Sequence, residues 1–490
     1  MKIRKLIAGI LCAVLAFSLF GCGENGLDDI SQNLTTYKID AVYDGQNTVT
    51  AAAEIRYVNN YDVSLPELQF RLYPNAYRKD VEYAPVHPSE KEAAYPLGES
   101  YGGIEITSLY RGSTEVPVTL SGPDDTVLVV PLDSDLRPTT AVTVRMEFTL
   151  TIPQMRHRFG MTENSTNLGN WYPIASVYEN GAFRSDPYYA NGDPFYSEIA
   201  NYEVKLTVPG AMTVAATGTV TSAEAGETTV YTATAKAVRD FAAVIGGFET
   251  ATAAAGNTQV MYYYYSDPDP AASLAAAADA LTVFGEKFGA YPYKTFSVVQ
   301  TGFLQGGMEY PQLVMISDAL VPEVYREAVI HETAHQWFYG LVGNDQIGTP
   351  WLDEALAEYC TDLFYKWRPD YEIDFEKKVS DTLSAFVLYC DIYKHGGRDD
   401  TSMNRALGAY ENQTEYTYMT YVKGSLMFDS LRRTIGDDAF TAALKAYVSE
   451  YYLENARPDC LIACFEKASG KELKSYFDSW TSGKVKLFAD

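Results

Sequence analysis

The stretch His331-Glu332-Thr333-Ala334-His335, separated by eighteen residues from Glu354, decides how the rest of the chain is read. Side chains four positions apart share one face of a helix, so two imidazoles at this spacing can hold one metal ion between them. The carboxylate next to the first histidine is then placed as general base toward an attacking water. Glu354 supplies the third protein ligand that a catalytic zinc requires, leaving a fourth position open. The chain contains only five histidines, and two of them stand here.

His-Glu-x-x-His also arises by chance on amphipathic helices, so its flanks carry the weight. Val324 to Ile330 lead into the motif and Trp337 and Phe338 follow it, an apolar setting in which unpaired imidazoles are costly. Glu354 lies in Trp351-Leu352-Asp353-Glu354-Ala355-Leu356-Ala357-Glu358-Tyr359, behind Thr349-Pro350. Thr as N-cap and Pro in the first turn predict a helix there. The expectation is two helices joined by a loop, with the third ligand near the start of the second. Glu358, one turn further on, reads either as an acceptor that orients a ligating imidazole or as an exposed helix glutamate.

Two more segments bear on the chemistry: Gly306-Gly307-Met308-Glu309-Tyr310 upstream and Tyr421-Val422-Lys423-Gly424 downstream. Together with the histidine motif and its Trp351-Leu352-Asp353-Glu354 partner, they resemble the gluzincin zinc aminopeptidases, of the alanyl aminopeptidase and leukotriene hydrolase type. The first segment is similar to that family's Gly-x-Met-Glu-Asn and the second to its Tyr-x-Lys-Gly, in the same order and spacing. The resemblance is strongest over residues 280–435. It extends more weakly to Leu72-Tyr73-Pro74-Asn75-Ala76 and Asn170-Trp171-Tyr172-Pro173 in the N-terminal half.

What the resemblance implies is specific. His331, His335 and Glu354 would hold one Zn²⁺, Glu332 would act as general base, and Tyr421 would donate a hydrogen bond to the oxyanion, with Tyr416 and Tyr418 as nearby competitors. Glu309 would bind a substrate's α-ammonium, and Gly306 and Gly307 would let an extended peptide approach closely. Tyr310 departs from the family's asparagine, and the helical C-terminal domain of many relatives is not expected here. The reading is therefore a zinc metallopeptidase acting on peptides, as an aminopeptidase. A zinc endopeptidase on the same scaffold, and a noncatalytic lipid-anchored peptide-binding protein, stay open as alternatives.

Composition agrees with a large folded enzyme. At 490 residues with 47% hydrophobic side chains, more than one domain is expected. A net charge of −26 argues against nucleic acid, which needs basic surface to neutralise phosphates. Lys2, Arg4 and Lys5 precede an apolar run from Leu6 to Phe20, and Leu19-Phe20-Gly21-Cys22 resembles a bacterial lipobox. The expectation is a signal peptide over 1–21 and a lipid anchor at Cys22, which would hold a tether over 22–36 to the outer face of a bacterial cell membrane. Cys360, Cys390, Cys460 and Cys464 read as buried thiols rather than a disulfide framework, and His87, His157 and His395 as structural or surface residues.

Alternating patterns over Tyr37–Tyr43, Thr48–Tyr57, Leu68–Leu72, Thr126–Pro131, Ala141–Ile152, Tyr202–Val208, Thr228–Ala235 and Phe241–Ile245 predict strands. The fold class expected is multidomain α+β. An antiparallel, saddle-like β domain over 37–252 precedes a thermolysin-like, mostly helical catalytic domain over 253–490. In the second, Pro270–Phe288 reads as a helix, Phe296–Thr301 and Gln312–Ile316 as strands, and the chain beyond Val321 as helix. Oligomeric state and side-chain preference are not legible.

Overall fold

The computed structural model of the protein describes residues 24–397 and 400–487. The expected signal peptide and Cys22 lie outside the described residues. Alternation builds the first half. In Thr36–Tyr43 the odd positions Tyr37, Ile39, Ala41 and Tyr43 are buried while Lys38, Asp40 and Val42 face solvent. This strand sits inside an eight-stranded sheet. The order is Thr219–Ala225, Thr228–Val238, Ala200–Pro209, Thr36–Tyr43, Thr48–Val58, Ala141–Thr151, Gly103–Arg111 and Thr114–Glu115.

One pairing corrects the expectation of an antiparallel domain. Thr36–Tyr43 runs parallel to Ala200–Pro209, with Tyr37 opposite Tyr202. That register stacks the two rings 4.9 Å apart, and the Tyr172 hydroxyl donates to Tyr202 at 2.9 Å beside a fully buried Trp171. Asn170-Trp171-Tyr172-Pro173 is thus a core anchor of this domain. The tether is corrected as well. Glu24–Ser31 is helical, Leu27 is buried, and Asp28 pairs with Lys236 at 2.6 Å.

The domain boundary falls earlier than residue 252. Glu249–Ala255 pairs with Thr258–Tyr264 and forms the edge of a second sheet, continuing Thr258–Tyr264, Thr295–Thr301, Leu313–Ser317, Gly307–Met308. The small residues Ala251, Ala253 and Ala254 are weak strand formers, but alternating Thr250 and Thr252 suit a strand. Helix Pro270–Phe288 crosses between the parallel strands Thr258–Tyr264 and Thr295–Thr301, capped by Asp269 accepting from the Ala272 amide at 3.2 Å.

Gly307–Met308 pairs on one side only, antiparallel to Leu313–Ser317, and ends the sheet. Helices then take over: Pro322–Ala334, Trp351–Trp367, Phe375–His395, Lys423–Ile435, Asp437–Glu450, Pro458–Ser469 and Lys474–Thr481. Thr349 does not cap its helix. Its hydroxyl donates back to the Asp345 carbonyl at 3.1 Å, and Pro350 occupies the N-cap position without a side-chain bond. Among the described residues no helix is long and apolar enough to cross a membrane.

Candidate metal and active site

Helix Pro322–Ala334 ends within the histidine motif, with His335 as its C-cap. His331 and His335 nevertheless keep one face, and their Nε2 atoms lie 3.1 Å apart. Glu354, in the first turn of Trp351–Trp367, places Oε2 at 3.2 Å from His335 Nε2 and 3.5 Å from His331 Nε2. The outer ring nitrogens are occupied. His331 Nδ1 meets Glu358 at 3.1 Å, and His335 Nδ1 donates to the Phe338 carbonyl at 2.9 Å. With each Nδ1 proton directed outward, both Nε2 atoms point inward, and loss of their protons gives the tautomer metal ligation needs. Two imidazoles and a carboxylate converging in this way fit a zinc-type cation. Glu358 is accordingly an orienting acceptor and not an exposed helix residue.

The electrostatics around these ligands are steep. Burial resists charging His335, but Glu354 overrides it and pushes the imidazole up to about 10. Glu354, despite its own burial, is held well below the usual carboxylate range by the two histidines. Glu332 points into the same cleft with Oε2 buried and lacking any partner, and burial pushes its carboxyl up to about 8. Any side chain at position 307 would run into Glu332, so Gly307 is what allows strand and base to lie together. Gly306 has open space around it and lines the cleft without that steric demand.

Tyr421 reaches the cleft from a π-helical turn, Tyr418–Val422. Its ring stacks on His331 at 5.8 Å, and burial raises its hydroxyl so that it remains a donor. The Lys423-Gly424 that follows explains the placement. Lys423 is fully buried and donates to the Thr401 and Trp480 carbonyls at 2.5 and 2.8 Å, while Gly424 lets this helix close on Ala355, next to Glu354. Tyr418 instead stacks on Tyr389 at 4.1 Å, and Tyr416 is buried against the Tyr421 ring at 5.7 Å.

Glu309 is buried at the end of the edge strand, and the Gln346 amide donates to it at 2.7 Å. The same amide donates to Asp353 at 2.8 Å, whose other oxygen accepts from Asn344 at 2.9 Å. Burial, with Glu354 beside it, pushes Asp353 up to about 7. Oxygens of Asp193, Glu309 and Glu354 lie within 4.8 Å of one another, and Asp193 faces Arg158 at 3.0 Å. Asp193 and Arg158 come from the β domain and escaped the sequence reading. Nothing in Asn191-Gly192-Asp193-Pro194 separates it from an ordinary turn.

Residues 272–480 match the peptidase family M1 domain. Aminopeptidase 2 of Candida albicans is 29% identical over 223 residues, covering 42% of this chain and 23% of that protein. Aminopeptidase N of Streptomyces lividans is 28% identical over 221 residues, covering 40% of this chain and 24% of that one. The chain thus spans about a quarter of the length of these curated relatives. The crystal structure of an M1 zinc metallopeptidase from Deinococcus radiodurans superposes with a TM-score of 0.65 at 17% identity, covering 92% of this chain and 94% of that one. The likeness in fold therefore extends beyond the M1 domain into the β domain.

Tyr310, at the position where the resembled motif has asparagine, turns out of the cleft. It is fully buried and donates to Asn170 of the β domain at 2.6 Å. His157 is likewise structural, meeting the Tyr77 hydroxyl at 2.7 Å, and all four described cysteines are free. Glu358→Ala should raise the metal dissociation constant of the protein by about 10- to 100-fold, since it removes the group that orients His331. Competition with a chromophoric chelator reads this directly, and an unchanged constant would refute the orienting role.

Proposed function

We propose that this protein is a zinc aminopeptidase that removes N-terminal residues from peptides. The observation that carries the reading is the pairing of Glu309 with Asp193, two buried carboxylates from different domains, beside the His331/His335/Glu354 site. A metal-dependent peptidase needs the three ligands and a base. It does not need two further carboxylates at one end of its cleft. Two such groups in a dry pocket suit a cation carried by the substrate, and a free α-ammonium is the cation every peptide offers.

When bound, zinc supplies Lewis acidity for the scissile carbonyl and a water that ionises near neutral pH. The chain's own residues do the rest. The open edge of Gly307–Met308 pairs with an extended peptide backbone, as β-strand addition does elsewhere. Glu309 and Asp193 hold the ammonium and so set which peptide bond lies over the site. Glu332, with an uncommitted oxygen, takes the proton of the attacking water and passes it to the leaving amine. Tyr421 donates to the developing oxyanion, a role whose loss typically costs on the order of 10²–10³ in rate. Tyr310, bonded to Asn170, leaves the Glu309 side of the cleft unobstructed.

Glu332→Gln should abolish hydrolysis while zinc stays bound, measured as turnover against metal content; retained turnover would sink the assigned base. Glu309→Ala should lower kcat/KM for free-amine peptides on the order of 10²-fold, the scale of stripping one partner from a buried charge pair. N-acetylated peptides should be poor substrates of the unaltered protein, and cleavage of blocked and free peptides at equal rates would overturn the aminopeptidase reading. The basic residues and apolar run preceding Cys22 support an extracytoplasmic, lipid-anchored location. Cys22→Ser should move the protein from the membrane fraction to the soluble one. An unaltered distribution on fractionation would count against the anchor.

A further inference from the structure

Among the described residues eleven non-glycine residues have positive φ, and ten of them lie between 49° and 63°. Tyr339 is the exception at 140°, in a region where residues with a side chain are rarely found unless their surroundings hold them there. It stands four positions after His335, in the loop that closes the motif helix. Its neighbours explain what the conformation does. The Phe338 carbonyl accepts the His335 Nδ1 proton, and the peptide plane carrying that carbonyl ends at the Tyr339 nitrogen. The φ of Tyr339 therefore sets where the Phe338 oxygen points once the rest of Tyr339 is fixed.

The rest of Tyr339 is fixed from the other domain. Arg239 Nε donates to the Tyr339 carbonyl at 3.0 Å, and the Tyr339 hydroxyl donates to Asp240. Arg239 is anchored by the Ser197 carbonyl at 2.8 Å and Asn455 at 2.5 Å, and Asp240 also accepts from the Ser197 hydroxyl at 3.1 Å. Farther along the loop, the Arg239 guanidinium fills the space that a side chain at Gly343 would need. Arg239, Asp240 and Tyr339 are all buried.

We infer that Arg239 and Asp240 are positioning residues of the β domain that clamp Tyr339, hold the Phe338 carbonyl on His335, and thereby tune metal affinity at a site they do not touch. The inference rests on the metal-site reading above and concerns residues beyond it. Tyr339 relaxing to an ordinary φ would swing the Phe338 oxygen off the imidazole and free the ring to rotate or change tautomer.

The test uses the full chain and chelator competition for zinc, with thermal unfolding measured in parallel. Tyr339→Phe removes one hydroxyl and little else. We expect it to raise the zinc dissociation constant about 10-fold, the lower end of the range for groups that orient a ligand. Asp240→Asn keeps an acceptor for Tyr339 and should stay close to the unaltered protein, whereas Asp240→Ala should follow Tyr339→Phe. Tyr476→Phe is the control: its partly buried hydroxyl donates to the Met427 carbonyl at 2.7 Å, between the helices Lys474–Thr481 and Lys423–Ile435. It should lower the Tm without moving zinc affinity. If Tyr339→Phe lowers the Tm as Tyr476→Phe does and leaves zinc binding unaltered, the clamp is structural only and the inference is overturned. An unaltered protein that takes up no zinc overturns the metal reading itself, and the clamp with it.

Discussion

The two Nε2 atoms and the Glu354 oxygen lie within 3.5 Å of one another, and this convergence constrains the surrounding structure. Imidazoles brought that close must each be held from behind, because a ring free to rotate would turn its nitrogen toward any other acceptor. Glu358 and the Phe338 carbonyl provide that hold. Around them stand Glu332, Glu309, Asp353 and Asp193, all buried. Two like charges about 4 Å apart repel by about 4 kcal/mol at an effective dielectric of 20, so such a set persists only with protons, donors or cations distributed among its members. The loops and helices of the second, helical domain largely supply that distribution.

The β domain is part of the same solution. It contributes Arg158 and Asp193 to the cleft wall, Asn170 to Tyr310, and Arg239 and Asp240 to the loop behind His335. These residues come from strand ends and turns, while the sheets behind them bury the Tyr37, Tyr172 and Tyr202 cluster. The sheet scaffold thus carries loop residues, among them the Arg158–Asp193 pair, to the cleft of the helical domain. A large, aromatic-rich core makes that delivery rigid, because closely packed rings leave little room for the turns they support to drift.

Much of this was legible in the residues, for reasons that differ by element. The two histidines follow from helical periodicity, which is local and short, while Glu354 on the next helix follows from the third ligand that zinc needs and from the resemblance around Trp351-Leu352-Asp353-Glu354. Tyr421 was separated from Tyr416 and Tyr418 by Lys423-Gly424, whose burial and close approach to Ala355 now give that context a physical cause. The strand ranges read from alternation recur with shifts of up to five residues at their ends, while Gly103–Arg111, Thr219–Ala225 and Thr258–Tyr264 were not read from it. Partners between strands were not legible. The parallel pairing of Thr36–Tyr43 with Ala200–Pro209 joins distant segments, and periodicity within a strand carries no record of its neighbour. Asp193, Arg158, Arg239 and Asp240 were missed for the same reason: each gains its role only by reaching the other domain.

The roles of the carboxylates can be ordered by how fully each is compensated. Glu354 faces two imidazoles and Glu358 orients one of them, so both are committed to the metal site. Asp353 accepts from Asn344 and Gln346 and contributes to the packing of the loop. Glu309 takes one donor from Gln346, and Asp193 leans on Arg158, which leaves each able to accept a further cationic group. Glu332 Oε2 has no partner at all. In the proposed reaction the least compensated carboxylate is the one that must gain and release a proton, and the half-compensated pair is the one that must take and release an ammonium. Exchange at both sites requires that neither be satisfied in advance by the protein, and the hydrogen-bond donors of this cleft are spent elsewhere.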